Sequence, residues 1–503
     1  MEVKKVKFRP YQKETIERAI RAFTEEGYKN VIIEAPTGFG KSLVNYLIVK
    51  NLGVTAWYTT PQVVLLEQLE RDPLISIPIL KGRDKYLCLV KNVPADIAPC
   101  ATIRGYSCPY MDECPYFRDR DAVLSSDISG ISFAMLIKTH KNEKFGKRTV
   151  LIVDEADDIE DWGAEFGRIE FRTPLSFGSI HEIIRWAEKK LQRVEAEIRF
   201  LEDMDYLTVA EAMRLRDLRS LRDKIEFFLA DAKKRPHNWA FRKRGDKLIL
   251  QVIDVGYVLD RFVWSRGEYR IISSATIIDA KQFAKYTGLS GRTLWIRIPH
   301  PFPKEIRPII YRPVAKMTKN ARDSSAYDAV VQEIVKIAKK HEFEKGIIHA
   351  HSYEIAQEIA KRLRPQGWFV ITHGSDDRDR KFNLFLRAPK NTIFVSVGFS
   401  RGIDLKYDLA RWQVITKIPF PDQSDIRVQE LWVKRRAWKW ARYQTIKTLV
   451  QTCGRIVRAE DDYGVTYILD KSFEYLIRYK KEFPPWFLEA IIIEGGSEDS
   501  NDA

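Results

Sequence analysis

Short apolar runs rich in β-branched residues recur along the chain in two series, and helical patterns lie between them. The first series is NVIIEA (30–35), VTAWYTT (54–60), VLIVDE (150–155) and YRIISSAT (269–276). The second is GIIHAH (346–351), WFVITHG (368–374), NTIFVSVG (391–398), WQVITKIPF (412–420) and GVTYILD (464–470). Strands that alternate with helices favour a parallel sheet covered by helices. The sequence therefore predicts an α/β fold with two parallel-sheet lobes.

Two segments interrupt the first series, and a third separates the two series. The first interruption, residues 79–128, contains four of the five cysteines, and the second, residues 165–250, is charged and helix-periodic. Residues 298–316 contain five prolines and are interpreted as an interlobe linker. We therefore predict a first lobe of residues 1–78, 129–164 and 251–305, two insertions at the interruptions, a second lobe of 306–490 and a disordered acidic tail of 491–503.

The composition favours a partner that carries many negative charges. Lys and Arg number 84 against 69 Asp and Glu, a formal net charge of +15, and nucleic acid is the simplest polyanion to match it. A hydrophobic content of 45% excludes wholesale disorder. The sequence shows no signal peptide and no apolar run of membrane-spanning length. We expect a cytoplasmic protein with no membrane partner, associated with the nucleoid, or nuclear if its source is eukaryotic.

A glycine-rich segment, APTGFGKS (35–42), follows a predicted strand and opens a predicted helix. Glycines at 38 and 40 let backbone N–H groups surround phosphate oxygens, Lys41 can reach the terminal phosphates, and Ser42 can bind Mg²⁺. Ala35 stands where the general pattern has glycine, so the match is imperfect. A glycine-rich loop without a ligand is the alternative. We predict that Thr37, Gly38, Gly40, Lys41 and Ser42 bind the phosphates of a nucleotide.

Carboxylates end another predicted strand, in VDEADD (153–158). Asp154 can hold Mg²⁺, commonly through water, and Glu155 can orient and deprotonate an attacking water molecule. An acidic strand end alone is often only a loop. Together with the phosphate loop, it predicts nucleotide hydrolysis.

The second series ends with QTCGRIVR (451–458), which places Gln451, Arg455 and Arg458 on one face of a helix. Two guanidinium groups there can stabilise the charge of a phosphoryl-transfer transition state, although a solvated basic stripe is the alternative. Near the N-terminus, Gln12 in RPYQ can pair with an adenine edge or can simply begin a helix.

In chain order, RPYQ, APTGFGKS, YTTPQVVLLEQ (58–68), VDEADD, SSAT (273–276), AHSY (350–353), GFSRGIDL (398–405), KIPFP (417–421) and QTCGRIVRAEDDYG (451–464) resemble the motifs of superfamily-two helicases. The last three resemble the XPD/DinG branch in particular. The resemblance implies two RecA-like lobes, with a small Fe–S domain and a helical Arch-like domain inserted into the first lobe. Both interruptions lie at the corresponding places.

The resemblance also implies roles for individual residues. It assigns ATP and Mg²⁺ contacts to Lys41, Ser42, Asp154 and Glu155, with Arg455 and Arg458 as arginine fingers. We add Gln12 and Gln451 to the predicted nucleotide-binding residues. It assigns the coupling of hydrolysis to strand movement to Ser274, Thr276, Gly402 and Asp404. Two positions depart from the family: Asp157 replaces the usual His, and Ser472 in DKSF replaces an Arg. The first departure leaves room for a DEAD-box RNA helicase, although Gln451 and the cysteine insertion are untypical of those proteins.

Cys88, Cys100, Cys108 and Cys114 are separated by 11, 7 and 5 residues. Four thiolates suit tetrahedral zinc or an Fe–S cluster, but structural zinc usually uses pairs two to four residues apart. GRDKYLC and CPYFRDR resemble the edges of the family's cluster domain, which implies a 4Fe–4S cluster with a structural role. Zinc, free thiols and disulfides are the alternatives. Cys453 is predicted to be a packed residue.

The sequence thus predicts an ATP-dependent helicase that acts on single-stranded and forked DNA, with a 5′→3′ polarity that only the resemblance implies. We expect a monomer, and the chain does not identify protein partners. The basic and aromatic segments KKRPHNWAFRKR (233–244) and VKRRAWKWAR (433–442) are candidate DNA contacts. Trp438 and Trp440 point to different faces of a helix, so at least one is expected in the core. An ATP-switched binding protein with a redox-sensing cluster is the alternative of another class.

Overall fold

The computed structural model describes residues 8–36, 38–398, 405, 407–457, 459 and 461–494. In chain order its strands are β1 (Asn30–Glu34), β2 (Ala56–Thr60), β3 (Ile79–Leu80), β4 (Ile128–Ser132), β5 (Arg148–Asp154), β6 (Arg168–Arg172), β7 (Trp239–Arg244), β8 (Lys247–Val252), β9 (Gly267–Ser274), β10 (Thr293–Arg297), β11 (Ile309–Ala315), β12 (Gly346–His349), β13 (Phe369–Thr372), β14 (Thr392–Ser396), β15 (Trp412–Ile415), β16 (Val465–Asp470) and β17 (Ile491–Ile493).

The α-helices of the described residues alternate with these strands. They are α1 (Gln12–Thr24), α2 (Lys41–Leu52), α3 (Val63–Arg71), α4 (Pro99–Thr102), α5 (Pro115–Ser125), α6 (Phe133–Lys138), α7 (Ile159–Phe166), α8 (Ile180–Glu202), α9 (Val209–Ala232), α10 (Gly256–Phe262), α11 (Ala280–Thr287), α12 (Ser324–Lys340), α13 (Tyr353–Leu363), α14 (Arg378–Arg387), α15 (Ile426–Val428), α16 (Trp438–Cys453), α17 (Phe473–Ile477) and α18 (Pro485–Leu488). A π-helical turn, Gln429–Lys434, follows α15. Among the residues that the structure describes, no helix is long and apolar enough to cross a membrane.

The first parallel sheet has the strand order β10-β1-β9-β5-β2-β4-β3. Every pair in it is parallel. Along β1 the side chains of Val31 and Ile33 belong to one hydrophobic cluster and that of Ile32 to another. Both faces of the sheet are therefore buried, which explains the continuous apolar runs in the sequence.

The second parallel sheet has the order β13-β14-β12-β15-β16-β11-β17, again with parallel pairs throughout. All five runs of the second series form strands in it. The prediction of an α/β fold with two parallel-sheet lobes is confirmed. Because strand ends carry most of the motifs, the two sheets place those motifs on facing edges of the lobes.

The second interruption was predicted to be helical over residues 165–250, and the structure corrects this. The long helices α8 and α9 pack against each other, with Arg219 of α9 donating to Glu202 of α8 over 2.7 Å. The flanking chain forms a third, antiparallel sheet with the order β6-β8-β7. Strand β7 lies in the basic segment near Trp239, where three charged residues in succession obscure the alternation of a strand.

Three predicted boundaries also differ from the structure. The supposed linker 298–316 contains β11, which lies inside the second sheet, because Pro313 falls where the register shifts between Tyr311 and Ala315 and breaks no regular ladder. Residues 491–493, assigned to a disordered tail, form β17 and pair with β11. Residues 79–80 and Ile128, assigned to the first insertion, belong to the first sheet.

Candidate ATP site and neighbouring surfaces

The phosphate loop joins β1 to α2 and is shaped by two glycines with positive φ. Gly38 has φ +86° and Gly40 φ +84°, a conformation that favours glycine. A side chain at Gly40 would also lie 2.7 Å from Nε2 of Gln12. Lys41 is the first residue of α2, so the loop ends at a helix N-terminus, whose backbone N–H groups can bind an anion. Thr37, predicted to contact the nucleotide, lies outside the described residues.

Gln12 is buried and its amide is bound to the phosphate loop. Nε2 donates to the carbonyl of Phe39 over 2.6 Å, and Oε1 accepts from the backbone N–H of Arg9 over 2.8 Å. The guanidinium of Arg9 donates in turn to the carbonyl of Gly38. The RPYQ motif therefore stabilises the phosphate loop through hydrogen bonds to its carbonyls. The contact of Gln12 with adenine stays a prediction.

Asp154, at the end of β5, accepts hydrogen bonds from four groups. Ser42 Oγ donates over 3.1 Å and Tyr58 over 2.7 Å to Oδ2, while Ser273 Oγ over 2.8 Å and the N–H of Glu155 over 3.0 Å donate to Oδ1. Burial and the neighbouring Asp154 raise the pKa of Tyr58 well above its usual value, so the phenol stays protonated. A hydroxyl beside a fixed carboxylate fits the oxygen ligands that Mg²⁺ prefers.

Glu155 follows with a positive φ of 52°, which turns its side chain toward Lys41. Nζ of Lys41 lies 3.9 Å from Oε1 of Glu155. Burial in the cleft raises the pKa of Glu155 to about 7; Lys41 and Arg455 oppose the shift, and Asp154 and Asp157 add to it. A carboxylate with this pKa suits a general base near neutral pH.

Asp157 connects the carboxylate motif with the end of β9 and with the second lobe. Its carboxylate accepts from Ser274 Oγ, from Thr276 Oγ1 over 3.2 Å and from Gln451 Nε2. Gln451 also donates to Thr276 Oγ1 over 3.1 Å. A carboxylate that accepts three hydrogen bonds explains how Asp can stand at this position. Gln451 takes part in this interlobe contact beside the predicted coupling residues Ser274 and Thr276, and its contact with the nucleotide stays a prediction.

Arg455 lies two residues beyond α16 and faces the cleft between the lobes. It is close enough to lower the pKa of Glu155 across that cleft. The other predicted finger, Arg458, lies outside the described residues, as do the coupling candidates Gly402 and Asp404. The structure thus brings Arg455 from the second lobe to the carboxylates of the first.

The four clustered cysteines line one narrow cavity in the first insertion. Cys88 and Cys114 are buried, Cys100 and Cys108 are partly exposed, and all five cysteines of the chain are unpaired thiols. Arg83 Nη2 donates to Cys100 Sγ over 2.9 Å. Burial raises the pKa of Cys100, as do the nearby thiols of Cys108 and Cys88, while Arg83 lowers it.

The sulfurs surround this cavity without meeting at one point. Among the described residues, no three His, Cys, Asp or Glu side chains are arranged to hold a single metal ion. Four soft thiols around a common space nevertheless suit a cluster that has several iron atoms, and Arg83 supplies a positive charge beside it. Cys453 is buried in α16, which agrees with its prediction as a packed residue.

The aromatic residues of the two basic segments have different surroundings. Trp239 is buried and donates to Asp231 over 2.8 Å, and Trp440 is buried as well. Trp438 is 53% exposed and borders a cavity of about 250 Å³. That cavity is lined by Thr318, Phe420, Trp432, Trp438, Ala441, Arg442 and Tyr475. The expectation that one of Trp438 and Trp440 lies in the core is confirmed.

Three protein-family models match the chain. The Type III restriction enzyme res subunit model covers residues 5–72, a model described as DEAD_2 covers 88–174, and the Helicase C-terminal domain model covers 334–490. They match the lobe with the phosphate loop, the cysteine segment, and the lobe with Arg455. An ATP-dependent DNA helicase DinG from Photobacterium profundum is 26% identical over 327 residues, 59% of this chain and 45% of that protein.

Solved structures agree with these matches at the level of the fold. A structure named XPD helicase superposes with a TM-score of 0.64 at 17% identity, over 97% of this chain and all of that one. The chain is similar to the XPD/DinG-like branch of the superfamily-two helicases. Xpd4 from S. tokodaii gives a TM-score of 0.60 at 13% identity, over 97% of this chain and all of that one. This XPD/DinG-like chain therefore shares the two-lobe fold of these proteins.

The XPD/DinG-like chain spans less than half the length of the curated relatives that it matches. Besides the DinG protein, these include a probable ATP-dependent helicase from Methanocaldococcus jannaschii, 26% identical over 263 residues, 47% of this chain and 39% of that protein. The sequence motifs pointed to Ser42, Asp154, Glu155 and Arg455, and the structure brings these residues together. Tyr58 and Ser273 hold the same carboxylate but were not foreseen.

Proposed function

We propose that this protein hydrolyses ATP and uses the energy to move along single-stranded DNA and separate duplexes. One observation carries the proposal. Ser42, Lys41, Asp154 and Glu155 form one cluster beneath the phosphate loop, and Arg455 reaches it from the other lobe. A site that needs both lobes can link a change in the nucleotide to a change in the distance between them.

The residues of the chain supply distinct parts of the hydrolysis. Lys41 neutralises charge on the terminal phosphates, and Glu155 accepts a proton from the attacking water. Arg455 stabilises the charge that develops on the transferred phosphoryl group. Mg²⁺, when bound by Ser42 and Asp154, supplies further charge neutralisation at the phosphate oxygens.

The contact between Asp157, Thr276 and Gln451 supports the coupling of hydrolysis to movement. Asp157 lies two residues from the proposed base, and Gln451 lies on the helix that leads to Arg455. A change of the nucleotide therefore acts on an element that joins the lobes. We propose that opening and closing of this contact accompanies each step along DNA.

The DNA contact is supported by charge and by exposed aromatic surface. The net charge of +15 attracts a polyanion. Trp438 and the cavity beside it offer stacking surface next to the basic residues Lys434, Arg435, Arg436 and Lys439. Single-stranded and forked DNA as substrates, 5′→3′ polarity, a monomeric state and a nucleoid location, or a nuclear one in a eukaryote, belong to this proposal.

We further propose that Cys88, Cys100, Cys108 and Cys114 hold a 4Fe–4S cluster with a structural role. The insertion is small, and binding free energy at such a site is folding free energy. The insertion also contacts the second one, since Arg219 of α9 donates to the carbonyl of Ala101 over 2.7 Å. A cluster would therefore also fix the position of the backbone that Arg219 of α9 contacts.

Purification without oxygen, followed by an absorbance spectrum and ATPase assays with DNA and with RNA, tests the proposal. We expect a brown protein whose ATP hydrolysis is stimulated many-fold by single-stranded DNA. Stimulation by RNA alone would indicate an RNA helicase instead. Slow hydrolysis that nucleic acid does not stimulate would indicate an ATP-switched binding protein with a redox-sensing cluster.

A further inference from the structure

A buried carboxylate of the first lobe receives three donors from the second lobe. Glu160, on α7, is 3% exposed. Its Oε1 accepts from Trp440 Nε1 over 2.8 Å and from Arg427 Nη2 over 2.5 Å, and its Oε2 accepts from Gln444 Nε2 over 2.7 Å. Arg427 is buried as well and also donates to the carbonyl of Ile253 over 2.9 Å. These three donors of the second lobe are thereby matched by one carboxylate of the first lobe.

The same face of α16 continues toward the ATP site. Trp440, Gln444, Lys447 and Gln451 are four, three and four residues apart and therefore share one face of the helix. Lys447, which is almost completely buried, donates to the carbonyl of Asp157 over 2.9 Å, and Gln451 donates to the carboxylate of Asp157. Four side chains spread over about three turns of α16 are thus bound to Asp157 and Glu160 of the first lobe.

Both ends of this arrangement carry groups of the proposed reaction. The bound segment begins two residues after Glu155, and α16 ends two residues before Arg455. Gln413 holds the last turn of α16, since its Nε2 donates to the carbonyl of Thr452 over 3.1 Å. A helix anchored at several turns can neither rotate nor slide, so its anchors determine where the residue after its end lies.

We propose that Glu160 is a positioning residue for ATP hydrolysis, which through α16 fixes Arg455 opposite Glu155. The inference rests on the proposed ATPase function and names a residue outside the helicase motifs described above. Glu160 is suited to this because it is charged, buried and matched by three donors. Its replacement by Gln puts an amide N–H among those donors, and at least one of them loses its partner.

The test is a double-mutant cycle on ATP hydrolysis by the full chain, with Glu160→Gln, Arg455→Ala and the double variant. We expect Glu160→Gln to lower kcat about 100-fold, as misplacement of a catalytic group by about 1 Å does. The KM for ATP and the affinity for a non-hydrolysable ATP analogue should stay unchanged, because the phosphate loop is intact. The double variant should be no slower than Arg455→Ala alone, because Glu160 acts only through Arg455.

A matched control is Glu482→Gln. Glu482 accepts two hydrogen bonds from Arg442 of α16, over 2.8 and 3.0 Å. Both residues belong to the second lobe, so this contact holds α16 without joining the lobes. This variant should keep the kcat of the wild type. If Glu160→Gln does not fold, as shown by its thermal unfolding, Trp440→Phe takes its place in the cycle, because it removes one N–H donor and keeps an aromatic ring.

Two results would overturn the inference. One is a double variant whose loss is the product of the two single losses, which would make Glu160 independent of Arg455. The other is a wild-type kcat in Glu160→Gln, or in Trp440→Phe where that variant replaces it. A wild-type protein that does not hydrolyse ATP would overturn the proposed function itself, and the inference with it.

Discussion

At the scale of single residues, Asp154 shows how the site is held before any ligand arrives. Its four donors come from α2, β2, β9 and its own chain neighbour. The ligand that we assign to Mg²⁺ is therefore fixed in place.

Replacement of Lys41 and of Glu155 should stop turnover by different routes. Lys41→Ala removes charge neutralisation at the phosphates, so binding of nucleotide or its hydrolysis should fail. Glu155→Gln keeps Asp154 and Ser42 but removes the base, so ATP should bind and persist unhydrolysed. Filter binding of labelled ATP and a phosphate-release assay separate the two outcomes. Normal turnover in Glu155→Gln would show that another group is the base.

Arg455→Ala should slow hydrolysis and leave the first lobe able to bind nucleotide. Arginine fingers contribute about three to five orders of magnitude in phosphoryl transfer. Arg458→Ala is expected to act in the same direction. The measurement is DNA-stimulated phosphate release together with the affinity for an ATP analogue. If both variants keep full stimulated activity, the two arginines belong to a basic surface only.

The sequence predicted the charged and glycine residues of the site because their chemistry is recognisable in a short motif. Tyr58 and Ser273 could not be found in this way, since their role depends on β2 and β9 lying on either side of β5. Glu160 and Arg427 are 267 residues apart in the chain and meet only when the lobes pack. Short motifs therefore do not predict the order of the strands or the packing of the lobes.

At the scale of elements, strands with continuous apolar runs were predicted well and the others were not. β4 has the sequence ISGIS, in which glycine and serine lower the apolar signal, yet all five residues are buried. β11 contains Pro313, which argued for a linker, but the proline lies at an irregularity of the ladder. In both cases packing against neighbouring strands outweighs the local preference of the sequence.

If the proposed 4Fe–4S cluster is present, the cysteine insertion should depend on it for its fold. Replacing any one of Cys88, Cys100, Cys108 and Cys114 by Ser should remove the brown colour and disorder the insertion, because an incomplete site loses its folding free energy. ATP hydrolysis on single strands should survive in part, while duplex unwinding should be lost. Iron analysis and the absorbance spectrum are the measurements, and Cys453→Ser, outside the insertion, should keep its iron. Stoichiometric zinc without iron would contradict the cluster.

At the scale of the whole molecule, the two lobes are joined by buried polar contacts. Tyr443 of α16 donates to the carbonyl of Ile277 over 2.9 Å, in addition to the contacts of Glu160 and Asp157. Buried polar groups bond only in a narrow geometry, so they favour one arrangement of the lobes over many similar ones. Such an interface suits a protein that alternates between defined states.

Stability should fall in mild acid because of a buried histidine in the second lobe. Burial lowers the pKa of His349 to about 4, and its Nε2–H donates to Gln413 over 3.0 Å. The unfolded chain takes up the proton near pH 6.5. Between about pH 6.5 and 4 the unfolded state therefore binds more protons, and the free energy of unfolding decreases as the pH falls.

Protonation of His349 in the unfolded state should lower the free energy of unfolding by about 3 kcal/mol over that pH range. Denaturant unfolding of the wild type and of His349→Gln, measured across the same pH range, checks it. The glutamine can donate to Gln413 but does not titrate, so the variant should lose less stability on acidification. Equal pH dependence in the two proteins would show that His349 does not contribute.

The most direct test of the central claim is a strand-displacement assay with the intact protein, purified without oxygen. The substrate is a DNA duplex with a 5′ single-stranded tail, and the matched substrate has a 3′ tail. We expect the wild type to release the labelled strand from the 5′-tailed duplex only with ATP and Mg²⁺, and Glu155→Gln to release none. If a preparation that binds ATP and carries its full content of iron does not displace that strand, the proposed helicase function is contradicted.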